Sequence, residues 1–251
     1  MLFDSHCHLD FAEYDADRVA VVRRAQGAGV RGILVPGTHP DTWTRTAEMQ
    51  TLPGIQVALG LHPCFIDPRI DDFAFLGPKL REQAVACGAV AIGECGLDKS
   101  AGRLSLQIRL LREQLQVARD LDLPVLLHCV KAHGALLSLL QEMGPIQGVM
   151  HSYSGSPELV PVYAKLGLCF SFGGVLSWAG AKKSKLALQR VPTGHLLVES
   201  DGPDQPLSRR QGQTAPGDQR SEPADVKDIA AIARALGAEP GWGPFERSAF
   251  Q

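Results

Sequence analysis

The chain has 251 residues, 45% of them hydrophobic and 21% charged, with a formal net charge of −2. That length supports one large core, and α/β barrels of this size fold as single domains. The near-neutral charge excludes a global basic field around the molecule, and no apolar run approaches the roughly 18 residues of a transmembrane helix.

Strand-length apolar runs recur along the chain: "MLFDSH", "GILVPGTH", "IQVALGLH", "AVAIGECGLD", "PVLLHC", "GVMHSYSG", "LCFSFGG" and "HLLVESD". Helical periodicity fills most of the intervals, in "DADRVAVVRRAQGAG", "DDFAFLGPKLREQAVAC", "LSLQIRLLREQLQVARDLD", "AHGALLSLLQEM", "SPELVPVYAKLG" and "KKSKLALQR". The third of these is the clearest, with Leu104, Ile108, Leu111, Leu115 and Ala118 on one stripe. A last helix fits "EPADVKDIAAIARALG", with Gly237 as its stop. Strands alternating with helices imply parallel pairing through right-handed crossovers, and eight such units in about 250 residues predict a (β/α)8 TIM barrel spanning 1–251 as one domain. An open doubly wound sheet is the alternative, but no glycine-rich nucleotide-binding motif supports it. Residues 203–221 predict a long polar loop carrying Arg209, Arg210 and Arg220, and the tail "AEPGWGPFERSAF" has no clear periodicity.

The N-terminus shows no basic and apolar leader, so a soluble, cytoplasmic protein is expected, with no membrane and no protein partner implied. The six cysteines lack C-x-x-C spacing and read as small buried hydrophobes. Cys7, Cys95 and Cys129 each follow a polar candidate residue, so strand alternation turns them away from any shared site.

The polar residues cluster at strand ends. His6 and His8, two residues apart, project on the same face of an extended chain, in phase with Asp4 and Asp10. Six of the eight histidines fall at C-terminal ends of predicted strands: His6, His8, His39, His62, His128 and His151. Glu94 and Asp201 end two further strands. Taken singly, His128 after "PVLL" is compatible with a hydrogen-bonded core histidine, Glu94 with an ion-pair partner, and His39 with a turn cap, which leaves His39 outside the site. Taken together, they converge on the face where barrel enzymes hold their active sites. Buried imidazoles beside carboxylates are best satisfied by cations. His6, His8, His128 and His151 with Glu94 and Asp201 exceed the three protein ligands of one tetrahedral catalytic ion. They suit two divalent ions bridged by a carboxylate, about 3.5–4 Å apart. Nitrogen-rich ligation favours zinc, manganese, iron or nickel over bare magnesium or calcium sites.

The segments "FDSHCHLD", "GLHP", "AIGECGLD", "PVLLHC", "HSYSGS" and "LLVESDGPDQPL", in that order from residue 3 to about 206, with "SEPADV" extending to 226, resemble the TatD-type deoxyribonucleases, metal-dependent hydrolases with a barrel fold. The resemblance implies two divalent ions (Zn, Mn or Mg) and a DNA or other phosphodiester substrate. It implies that His6 and His8 bind the first metal with Asp201, that Glu94 bridges, and that His128 and His151 bind the second. Asp201 would accept a proton from the attacking water, and His62 would reach the scissile phosphate or leaving group. Relatives often carry His-Ser-Arg where this chain has His128-Cys129-Val130, leaving Lys131 or His133 to replace the arginine; an Asn often stands at Ser221. Arg209, Arg210 and Arg220 are expected to meet backbone phosphate, giving the 203–221 loop a role in substrate engagement rather than at the metal centre. Two other readings share the ligand set: a barrel amidohydrolase acting on C–N bonds, and a metal-holding barrel that has lost catalysis and serves as a binding protein.

Overall fold

A computed structural model describes residues 1–67, 75–210 (without the Arg210 side chain) and 220–245. Among these residues eight strands follow one another: β1 (Leu2–Asp4), β2 (Val30–Pro36), β3 (Ile55–Leu59), β4 (Ala91–Asp98), β5 (Val125–Val130), β6 (Gly148–Met150), β7 (Leu168–Phe172) and β8 (Leu196–Val198). Each pairs in parallel with the next, in sequence order. The first and last meet just beyond their ends, where the Ser5 N–H donates to the Val198 carbonyl at 3.1 Å and Cys7 bridges to Gly202. The predicted (β/α)8 barrel is the observed fold.

The helices are α1 (Arg18–Gly27), α2 (Trp43–Glu48), α3 (Leu76–Cys87), α4 (Leu104–Asp120), α5 (His133–Met143), α6 (Val160–Lys165), α7 (Lys182–Leu188) and α8 (Val226–Ala235). The short α2 was not expected from the periodicity. The predicted α3 segment starts earlier than the helix, and its residues 71–74 lie outside the described ones. On α4, Leu111, Leu115 and Ala118 are buried as the stripe requires, with Leu104 and Ile108 half-buried beside them. Gly237 follows α8 at φ 85, the left-handed conformation that ends a helix without a Cβ clash. No helix of the described residues is long and apolar enough to cross a membrane.

Strand alternation divides the core in two. Phe3, Leu34, Ala58, Ala91, Leu126, Val149 and Leu197, one from each of seven strands, pack as one cluster with half-buried Cys169 of β7 against it. This is the barrel interior. Their strand neighbours, such as Val35, Val57, Leu127, Met150 and Phe170, pack with Leu111, Leu115 and Leu136 in the layer between barrel and helices. The tail that lacked periodicity closes the interior from the N-terminal side. Phe245 is fully buried in the inner cluster, and Trp242 stacks on Phe3 with ring centroids 4.7 Å apart.

Candidate metal centre

One step toward the C-terminal mouth, the inward face turns from apolar to polar. His128 is two residues beyond Leu126, His151 two beyond Val149, His62 four beyond Ala58, and Glu199 and Asp201 two and four beyond Leu197. All are in phase with an interior residue. β4 shifts register between Ile92 and Cys95. It also runs on to Asp98, so Glu94 lies inside the strand rather than at its end. Gly96, paired with His128, has φ 152, and a Cβ there would lie 2.0 Å from the His128 carbonyl oxygen. Only glycine lets the two strands approach this closely beside the site.

Glu94 is the hub. Its Oε2 lies 3.2 Å from His6 Nε2 and 3.4 Å from His8 Nε2. Its Oε1 lies 3.1 Å from His62 Nε2, 3.1 Å from His128 Nδ1 and 3.2 Å from His151 Nε2. His6 Nε2 is also 3.1 Å from His8 Nε2 and 3.7 Å from Asp201 Oδ1. Three overlapping sets of potential ligand atoms result: His6, His8 and Asp201; His6, Glu94 and His151; and His62, Glu94 and His128. His62 therefore sits within the cluster.

Burial alone would raise Glu94, but the imidazoles of His62, His151 and His6 outweigh it and hold its carboxyl well below the usual range. Burial, reinforced by His151, drives His6 down to about 3. Burial pushes Asp201 up to about 7, with Glu199 and Glu94 adding to the rise. A neutral imidazole has only one N–H, and here the Nε2 atoms of His6 and His8 face each other and the same carboxylate oxygen. Five imidazoles around one buried carboxylate form a donor set that suits divalent cations.

Supporting residues hold these groups in place. Asp4 and Asp10, expected in phase with the ligands, stay out of the cluster: Phe3 is the inward residue of β1, so Asp4 faces away from the interior, and Asp10 lies beyond the strand and bonds Thr46. The Asp4 carboxylate instead accepts the Ser200 N–H at 2.8 Å and the Ser200 hydroxyl at 2.6 Å, tying the end of β1 to the segment before Asp201. The Asp201 N–H donates to the His6 carbonyl at 2.9 Å. On α4, Gln114 accepts the Leu61 N–H at 2.7 Å and returns an N–H to the Leu61 carbonyl at 3.2 Å, fixing the backbone before His62. Gln107 clamps Asp98 in the same way, at 2.8 Å for each bond.

Two carboxylates near the site escaped the sequence reading. Glu199 Oε1 lies 3.5 Å from His151 Nδ1 and accepts the Ser152 N–H at 2.7 Å. Asp98 Oδ2 lies 3.3 Å from His128 Nε2. Both were visible as residues in phase with Asp201 and Glu94 on their strands. Cys7, Cys95 and Cys129 pack in the layer between barrel and helices, outside the three ligand sets. His39 accepts the Asp41 N–H at 3.2 Å, a local turn contact.

The proposed substrate contacts fare differently. Arg209 forms ion pairs with Asp225 and Asp228, and Arg220 with Asp17 and Glu222, so both guanidiniums face acidic partners of their own chain. The Arg210 side chain and residues 211–219 of the loop lie outside the described residues. Lys131 is exposed just past β5 with φ 53, whereas His133 turns to Tyr163, 3.1 Å from its hydroxyl. The loop's first residues belong to the centre itself: the Gln205 side-chain amide donates to both Asp201 and Ser152. A role confined to substrate engagement is thereby corrected. Ser221 donates its hydroxyl to the Ser200 carbonyl at 2.8 Å, next to Asp201.

Comparison with known proteins agrees with this geometry. The family model described as TatD related DNase matches residues 3–241. The uncharacterized metal-dependent hydrolase YjjV of Escherichia coli (strain K12) is 34% identical over 241 residues, covering 94% of this chain and 90% of that one. A 3'-5' ssDNA/RNA exonuclease TatD of Klebsiella pneumoniae (strain 342) is 32% identical over 255 residues, covering 96% and 92%. The crystal structure of YjjV, a TatD homologue, superposes with a TM-score of 0.82 at 31% identity, covering 94% of this chain and 90% of that one. With its barrel, its histidine pair and the full-length match agreeing, the chain belongs to the family of TatD-related DNases, metal-dependent hydrolases.

Proposed function

We propose that this protein is a metal-dependent phosphodiesterase acting on single-stranded nucleic acid. One observation carries the reading: each oxygen of the buried Glu94 carboxylate is addressed by its own group of imidazoles, His6 and His8 on one side, His62, His128 and His151 on the other. The name of the Klebsiella relative, an exonuclease on ssDNA and RNA, supports the substrate class.

In this reading His6, His8 and Asp201 would hold one divalent ion and His128 and His151 a second, with Glu94 as a further ligand; bound divalent ions would supply acidity to a water and offset charge on the phosphoryl oxygens. Asp201, oriented by Gln205, takes the proton of the attacking water as its oxygen bonds to phosphorus. His62, whose Nε2 faces Glu94, reaches the scissile phosphate or the leaving oxygen, which takes its proton from solvent water as the old P–O bond breaks. Gln114 holds the segment that presents His62, and Glu199 holds the His151 ring. Lys131, exposed beyond β5, supplies a cation near the strand being cut.

A substrate panel tests the reading: a single-stranded oligonucleotide, bis(p-nitrophenyl) phosphate and an N-acetyl amino acid, each with added manganese. Turnover of both diesters without release of amino acid is the expected result. Turnover of the amide alone would favour the amidohydrolase reading, and turnover of none would favour a binding protein.

A further inference from the structure

Beside the metal cluster lies a cavity of about 300 Å³ whose wall includes Phe11 and Phe65 and whose polar lining includes Asp10, Thr38 and Arg45. This volume is at the lower end for small-molecule sites, roughly 300–1,000 Å³. Its aromatic wall touches the centre directly. Phe11 stacks on His8 with centroids 4.5 Å apart and planes 15° apart, and Phe65 meets the edge of His62 at 5.7 Å. The two phenyl rings contact each other at 6.2 Å. Phe65, the last residue of a short 3-10 helix, is 44% exposed, so its ring is open to a ligand. Asp10 is only 3% exposed; its Oδ2 accepts the Thr46 hydroxyl at 2.7 Å, but its buried Oδ1 has no hydrogen-bond partner. A buried acceptor left without a donor is costly.

We propose that this cavity is a nucleobase subsite, taking the base of the nucleotide whose phosphate enters the metal centre. The inference rests on the phosphodiesterase reading and adds to it the part of the substrate that is recognised. A base offers a flat ring to the phenyl wall and polar edge groups to the Asp10, Thr38 and Arg45 residues that line the cavity. Stacking on aromatic side chains tolerates any base, because every base has a π-face. Because Phe11 lies against His8 and Phe65 against His62, a base on the phenyl wall belongs to a nucleotide beside the metal centre, in a splayed strand or strand end and not inside a duplex.

The test compares two single-stranded oligonucleotides that differ only at the nucleotide next to the scissile bond, one carrying a base and the other an abasic tetrahydrofuran unit. Both are assayed with manganese-loaded protein, and their binding to metal-free protein is followed by fluorescence anisotropy. The intact substrate is expected to show a kcat/KM higher by roughly ten-fold, with a parallel difference in Kd. In Phe65→Ala, whose side chain is partly exposed and whose loss leaves the core intact, that ratio should fall to about one. Cleavage of both oligonucleotides at equal rates by the wild-type protein would overturn the subsite while leaving the phosphodiesterase reading standing. An undiminished ratio in Phe65→Ala would also overturn it, and cleavage of neither would overturn both readings.

Discussion

Oε1 of Glu199 lies 3.5 Å from Nδ1 of His151, on the side of the ring opposite the nitrogen that faces Glu94. A carboxylate charge beside the outer nitrogen of a metal-binding imidazole orients the ring and raises its basicity. Glu199 is fully buried and also accepts hydrogen bonds from the Ser152 N–H and the Ser171 hydroxyl, so its own position is fixed. Glu199→Gln keeps the shape and removes the charge. Metal affinity, measured by competition with a chromophoric chelator, should fall by about 10–100-fold while the fold is retained. Affinity equal to wild type would show that Glu199 only anchors β8.

The inner core makes a separate prediction. Phe245 fills the N-terminal side of the barrel interior with no remaining exposure, beside Trp242 and Phe3. Phe245→Ala should cost about 3–5 kcal/mol, read from urea unfolding. The metal centre lies at the other end of the barrel, so metal binding by the folded fraction should persist.

A third prediction concerns the ion-pair cluster around Arg220. The Arg220 hydrogen bond is the main cause that lowers Asp17, with Arg24 adding to it. Burial opposes ionisation of Glu222, yet hydrogen bonds from Arg24 and Arg220 prevail and lower it as well. Both folded-state values lie below the unfolded ones, about 3.9 and 4.3. Their contribution is therefore complete above those unfolded values and is lost as pH falls through the folded ones. Arg220→Met should destabilise the protein by roughly 1–2 kcal/mol at pH 7, between exposed and buried pairs. The gap from wild type should narrow below about pH 4. A constant gap from pH 7 to pH 3 would mean that Arg220 acts through its packing on the Tyr14 ring, 4.6 Å away.

Much of this was legible in the sequence because barrels repeat a simple signal. Several strands place an apolar residue and then a polar one on the same face, as in Leu126 and His128 or Val149 and His151, whereas His6 and Glu94 lie three beyond the inward Phe3 and Ala91 and depend on shifts of register. The less legible parts depend on contacts distant in sequence or too short to show a period. Trp43–Glu48 is six residues long, less than two helical turns, with Trp43 and Thr46 buried. Trp242 and Phe245 find their partner in Phe3, at the other end of the chain. Glu199 and Asp98 were in phase with their neighbours, but a carboxylate that orients a ligand and one that binds a metal leave the same mark on a strand. Arg209 and Arg220 looked available for phosphate because their acidic partners, Asp225, Asp228 and Asp17, lie on other elements.

The central claim is that Glu94 joins two groups of imidazoles into one metal-dependent hydrolytic centre. The most direct measurement strips the protein with chelator, titrates manganese back, and follows both bound metal and hydrolysis of single-stranded DNA in wild type and in Glu94→Gln. Stripped protein should show no hydrolysis, wild type should recover in step with bound metal, and the variant should lose metal binding and turnover by at least about 100-fold. Full hydrolysis in a preparation with no detectable metal, or wild-type turnover in Glu94→Gln, would contradict it.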